Sequence, residues 1–148
     1  MTENQGKILE DDKSILDLLA NSKRIAVLGI KPESHATKPA FLVAKTMQER
    51  GYEIVPVPVY YPDVEEILGA PVYRTVSDIP GDVDIVDVFR RPDDIPAHLP
   101  DIIAKKPKAV WFQLGIRNDE AAKELANAGI TVVQNRCMKI EVENLDAR

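Results

Sequence analysis

The chain has 148 residues, 45% of them apolar and 29% charged, with a formal charge of −5. That length fits one domain able to bury a core without disulfides or metals, and the acidic balance excludes general affinity for nucleic acid or anionic membranes. No apolar run approaches the length of a membrane helix, the start "MTENQGKILEDDK" reads as lacking a signal-peptide core, and the lone Cys137 fits a reducing cytoplasm. The histidines and the cysteine are scattered, with no metal-ligand spacing.

Residues 1–10 read as a flexible tail and 11–148 as the folded domain. "DDKSILDLLANSK" places Ile15, Leu16, Leu18 and Leu19 on a helical face behind an acidic first turn. "RIAVLG" (24–29) is a short, almost wholly apolar strand, as expected for one buried on both faces. The next helix carries Ala40, Val43, Ala44 and Met47 at i, i+3, i+4 and i+7, with Pro39 in its first turn and Gly51 at its stop. "YEIVPV" (52–57) is a second strand, with Pro56 expected near its end.

Beyond it, "VEEILG" is expected to form a short helix and "VYRTV" at most a short extended piece. "VDIVDVF" (83–89) is a strand, "PDDIPAHLPDIIAKK" a proline-interrupted helix and "KAVWFQLG" (108–115) the next strand. "NDEAAKELANAG" is a helix capped by Asn118 and stopped by Gly129; "ITVVQN" (130–135) is the last core strand and "MKIEVENL" a closing helix. Alternating strands and helices of these lengths predict an α/β fold: a Rossmann-like three-layer sandwich around a parallel sheet of five or six strands. In such sheets ligands bind beyond the carboxyl ends of the strands.

The loops leaving those ends are "GIKPESHATK", "PVPVYYPD", "FRRPDD", "QLGIRND" and "NRCMK", and four of the five contain Lys or Arg in an acidic chain. Cations gathered at one sheet edge point to a ligand with several phosphates. Gly29 lets the backbone turn closely beneath such a ligand, and the helix start "HATKPAF" carries no acid and adds Thr37 and Lys38 as donors. The start "NDEAAKEL" is closed to an anion by Asp119 and Glu120. Glu33 opposes an anion in the first loop unless it turns away.

A nicotinamide dinucleotide fits poorly. The GxGxxG pattern is absent, and the acid expected after the second strand is replaced by "PVPVYYP". NAD-type binding is therefore the runner-up.

In the order "IAVLG", "YEIVPVPVYYPDVEEILGAPVYRTVSDIP", "VDVFRRP", "VWFQLG" and "NRCMKIE", residues 12–143 resemble the small stand-alone CoA-binding proteins. These are similar to the CoA-binding N-terminal domain of the succinyl-CoA synthetase alpha subunit. The resemblance implies coenzyme A bound across the carboxyl strand ends. Carried over, it puts Gly29, Ile30, Lys31, Thr37 and Lys38 in the phosphate-contacting first loop, and Pro58 and Tyr60 at the adenosine end. Phe89 and Arg90 then border adenine and pyrophosphate, Gln113, Leu114 and Gly115 flank the pantetheine, and Asn135, Arg136 and Cys137 lie near its thiol.

Two departures stand out. Relatives carry a serine where this chain has Lys31, and Val-Asn-Pro where it reads "VPVYYP". Pro58 has no side-chain amide to replace that asparagine, so Tyr60 or Tyr61 becomes the candidate for stacking on adenine.

The synthetase is a ligase, but nothing in this chain corresponds to its phosphohistidine. His35 and His98 read as surface residues, and no nucleophile stands with a credible base. Asp84 and Asp87 interrupt an apolar strand, where a buried carboxylate either serves chemistry or pairs with a neighbour. The reading is a non-catalytic binder of coenzyme A or an acyl-CoA, acting as carrier, sensor or regulatory module, with a homo-oligomer or partner subunit left open; the alternative is an NAD(P)-binding oxidoreductase or an acyl-CoA-using enzyme. Cys137, between Arg136 and Lys139, is either a reactive thiol or a small packing residue.

Overall fold

Runs of β-branched and aliphatic residues build the centre of the molecule, and the computed structural model describes residues 6–147. The strands in chain order are β1 (Ile8–Leu9), β2 (Arg24–Leu28), β3 (Glu53–Val57), β4 (Glu66–Ile67), β5 (Ala70–Pro71), β6 (Ile85–Val88), β7 (Ala109–Phe112) and β8 (Thr131–Val133). All but β4 and β5, which pair with each other, form one six-stranded sheet in the order β1-β8-β7-β6-β2-β3. Every pair in it is parallel.

Side chains alternate across each strand, so both faces of the sheet need cover. Ile25 and Val27 face α1 (Asp12–Ala20), α2 (Pro39–Glu49) and α5 (Met138–Ala147), which contribute Ile15, Leu19, Phe41, Met47 and Val142. Ala26 and Leu28 face α3 (Leu99–Lys105) and α4 (Asp119–Asn127), through Leu99, Ile102 and Leu125. The result is the three-layer α/β arrangement expected from the alternating pattern. Trp111 and Phe112 on β7 are both fully buried, one in each layer. Burying a large apolar side chain stabilises by about 1.5–3 kcal/mol, and the indole N–H stays bonded, donating to the Arg136 carbonyl at 2.8 Å.

The chain order creates the crevice. From β2 the chain winds through α2 to β3 on one side; it then crosses back to β6, and β7 and β8 follow on the other side. The winding direction therefore switches between β2 and β6, where parallel sheets leave an open groove at their carboxyl ends.

Three local expectations need correction. Residues 1–10 do not stay loose throughout: Ile8–Leu9 pair with Val132–Val133, with the Gly6 N–H donating to the Ala126 carbonyl at 2.9 Å. Two apolar residues are too few to signal a strand, and pairing with β8 makes this one; residues 1–5 lie outside the described residues.

"VEEILG" is not helical. Ile67 pairs antiparallel with Ala70, and the turn between them holds Leu68 (φ 55°) and Gly69 (φ 75°) in the left-handed region. Such a turn disfavours leucine. It is offset by tertiary bonds: the Glu33 carboxylate accepts the Leu68 N–H, and the Gln48 amide donates to the Leu68 carbonyl, both at 2.8 Å. These bonds take the backbone groups a helix would use. "VYRTV" contains no paired strand.

Pro56 lies within β3 and not at its end. β3 is the sheet's outer strand, and the Pro56 carbonyl accepts from the Tyr73 N–H at 3.0 Å. The missing N–H therefore points off the sheet, where it breaks no ladder bond.

Candidate functional site

A cavity of about 500 Å³ opens at the β2–β6 switch point, within the range usual for small-molecule sites. Gly29, Ile30 and Lys31 leave β2 along its floor, and Phe89, Arg90, Arg91 and Pro92 leave β6. Val59, Tyr60 and Tyr61 follow β3, Gly115 and Ile116 follow β7, and the start of α2 adds Lys38, Pro39 and Ala40.

Gly29 is required by geometry. Its φ is 89°, and a Cβ there would land on the Phe89 carbonyl oxygen. Backbone bonds hold it from both neighbouring strands: Gly29 N–H to Val57 O, and Phe89 N–H to Leu28 O, each 2.8 Å. Only glycine lets the two loops come this close.

The wall carries four cations, Lys31, Lys38, Arg90 and Arg91, and no carboxylate. Among the described residues Lys31 and Lys38 have no ion pair, while Arg90 and Arg91 both lean on Asp94, at 3.7 and 3.1 Å. Glu33 does not enter the cavity lining, its carboxylate being bonded to Leu68. Lys38 is the N-cap residue of α2, whose first turn has no acid and no side-chain cap, whereas Asn118 caps α4 through the Ala121 N–H at 3.0 Å. One helix end is open to an anion and the other is already occupied.

Arg90 is held from two sides. Its Nε donates to His98 Nε2 at 3.1 Å, and its guanidinium lies 5.6 Å from the centre of the Tyr60 ring. Burial, and then the Arg90 charge, hold the His98 pKa below its ordinary value, which keeps the imidazole neutral and able to accept. Tyr61, next to Tyr60 on the same loop, turns toward the β2 loop instead, 5.3 Å from the His35 ring and with the Lys31 ammonium 6.0 Å from its own ring.

The remaining expected residues do not line this cavity. Thr37 is exposed beside it and Pro58 is buried behind it. Leu114 is exposed, while Gln113 is interior: its amide donates to Asp87 Oδ1 at 2.6 Å, and its oxygen accepts the Met138 N–H at 3.3 Å. Asn135 and Arg136 lie along a separate recess with Arg117 and Gln134. Asn135 accepts the Gly115 N–H at 2.7 Å, and Arg136 is engaged by Asp12, Glu141 and the Glu10 carbonyl. Cys137 is half-buried against the α1–α2–α5 layer.

The two strand aspartates part company. Asp84 accepts the Lys23 and Arg24 N–H groups at 2.8 and 3.0 Å at the far end of the sheet. Asp87 is buried, bonded only through Oδ1, and burial pushes its pKa up to about 7 against a partial opposing effect of the Gln113 bond.

Sequence reasoning passed over Arg91 and Arg74, which donates to carbonyls of the loop after β3, and took His98 for a surface residue, whereas it is half-buried and bonded to Arg90. The doubled arginine of "FRRP" was a visible signal for the first. The other two act through bonds to residues distant along the chain, which no local pattern marks.

A parallel three-layer sheet with a cation-walled crevice at its switch point defines a Rossmann-like protein whose cavity favours an anionic small ligand. Residues 23–143 match the CoA binding domain family, and the chain belongs to it. Its relatives include the uncharacterized protein YneT of Bacillus subtilis (strain 168), 36% identical over 126 residues, or 85% of this chain and 90% of that one. A Thermus thermophilus structure, cell-free ID.343, is 37% identical with a TM-score of 0.83, over 92% of this chain and 99% of that chain. The dinucleotide-forming acetyl-coenzyme A synthetase 1 of Ca. Korarchaeum cryptofilum shares the fold, with a TM-score of 0.65 at 22% identity, over 79% of this chain and 26% of that one.

Proposed function

We propose that this protein binds coenzyme A, or an acyl-CoA, without catalysing its conversion, in the cavity between the β2 and β6 ends. The observation that carries the reading is the set of four cations around a cavity with no carboxylate, in a chain of net charge −5. Lys31 and Lys38 have the reach and freedom to meet phosphate oxygens. Arg90 offers a fixed guanidinium: Nε is on neutral His98 and one terminal nitrogen is 3.7 Å from Asp94, which leaves the other terminal N–H groups for a ligand. Gly29 lets the diphosphate approach the backbone, and Tyr60 or Tyr61 supplies a face for adenine. Gly115 opens the way for the pantetheine arm, which would leave the cavity there in the direction of Leu114, Asn135 and Cys137. The cavity holds no nucleophile paired with a base, which favours binding over turnover.

A melting-temperature screen with CoA, acetyl-CoA, NAD and NADP tests this. A ligand at a hundred times its Kd adds about 2.7 kcal/mol, or about 5–10 °C for a chain of this size. CoA or acetyl-CoA is expected to give that shift and the nicotinamide cofactors none. A saturable shift with NAD and none with CoA would replace this reading with the oxidoreductase one.

A further inference from the structure

The loop that leaves β3 puts two consecutive tyrosines on opposite sides of the cavity. Tyr60 reaches Arg90 on the β6 loop, and Tyr61 reaches His35 and Lys31 on the β2 loop. Tyr61 does so at a φ of 66°, a conformation that a bulky residue keeps only where its surroundings over-determine it. Residues 58–65 form no helix or strand, and their one internal backbone bond runs from the Val64 N–H to the Tyr61 carbonyl at 3.1 Å.

What holds the loop comes from outside it. The Arg74 guanidinium reaches four carbonyls: Nη1 donates to Tyr60 (3.4 Å), and Nη2 shares its two hydrogens among Tyr61 (3.2 Å), Pro62 (3.2 Å) and Val64 (2.7 Å). Arg74 has no ion pair among the described residues, so its charge is directed at these four dipoles. Its backbone is anchored by its neighbour, since the Tyr73 N–H donates to Pro56 on β3. Two terminal nitrogens hold the Tyr60 carbonyl and the Tyr61–Val64 carbonyls at once, where a lysine offers only one.

We propose that Arg74 is a positioning residue for the cavity. It fixes Tyr60 and Tyr61 as a divided aromatic wall, against which the flat base of a nucleotide-bearing ligand packs. The inference rests on the coenzyme reading for its ligand, and on the loop geometry alone for the tyrosine placement.

Calorimetry on the full chain with CoA and with 4′-phosphopantetheine, which lacks the base, separates the roles. Arg74→Gln is expected to weaken CoA about tenfold, the worth of one well-placed ring contact, and to leave phosphopantetheine unchanged. In a Tyr60→Ala/Tyr61→Ala background the same substitution is expected to cost nothing further. Arg74→Lys is expected to restore only part of the loss. Equal weakening of both ligands, or an undiminished loss without the tyrosines, would overturn the proposal.

A ligand-free arm stands apart from that reading. NMR contacts between the Tyr61 and His35 rings are expected in the wild type and lost in Arg74→Gln. Their persistence in Arg74→Gln overturns the positioning role whether or not CoA binds, while failure of CoA to bind the wild type overturns the coenzyme reading.

Discussion

At the β2–β6 crevice, Lys31 and Lys38 have no ion pair among the described residues, and the cavity they border has no acid in its wall. At the β8 end of the same edge, Arg117 is paired with Asp119, and Arg136 with Asp12 and the buried Glu141. Both regions are loops after parallel strands, and both contain basic residues. What separates them is whether the protein supplies the counter-charge itself. A cation already bonded to a carboxylate is a brace; one left without a partner is available to a ligand.

Substitution should expose that contrast most plainly in ligand affinity. Lys38→Ala, and Arg90→Ala, whose pair with Asp94 is long at 3.7 Å, are each expected to weaken CoA by tenfold to a hundredfold, since charge-assisted bonds contribute roughly 1.5–3 kcal/mol. Arg117→Ala is expected to change it less than about twofold, as an exposed paired cation. Calorimetry on the three variants would collapse the contrast if Arg117 proved as costly as Lys38.

A second test falls on the bridge between the regions, where Gln113 bonds both Asp87 of β6 and the first N–H of α5. The folded chain keeps the Asp87 proton up to about pH 7, whereas the unfolded chain releases it near 3.8. The folded state therefore binds more protons between those values, and its stability falls as pH rises through that window. Asp87→Asn has no proton to lose. Relative to wild type it should gain on the order of 2 kcal/mol between pH 5 and pH 8 in urea unfolding. A difference that stays constant with pH would mean that Asp87 is charged throughout.

The smallest effect belongs to Arg136. Arg136→Ala removes the bonds to Asp12 and the Glu10 carbonyl and leaves Glu141 without that partner. Stability should fall by about 1–2 kcal/mol in chemical unfolding, with CoA affinity unchanged. A loss of affinity larger than the loss of stability would return Arg136 to the ligand site.

The sheet was legible because β2, β6, β7 and β8 are nearly unbroken apolar runs, a pattern that buried parallel strands require. The first-loop cations were legible for a related reason: a charge just past such a run must sit at the strand end. The β4–β5 turn was not, since Val64, Ile67 and Leu68 have helical spacing, and only the tertiary bonds from Glu33 and Gln48 decide against a helix. Tyr60 drew attention for its chemistry, but its placement depends on Arg74, fourteen residues later. Residue type carries information about what a group can do. Its orientation comes from partners elsewhere in the chain.

The two flanks of the sheet differ in how they would behave at high protein concentration. Along β3, the proline within the strand and the Tyr73 amide on its carbonyl leave few groups for another chain to pair with. Along β8 the cover is a two-residue strand, Ile8–Leu9, tied down by Arg136 through Glu10 and Asp12. Unpaired strand edges template association between molecules. Trimming the chain ahead of Asp11 would therefore uncover the β8 flank and favour self-association there, while the β3 flank stayed closed.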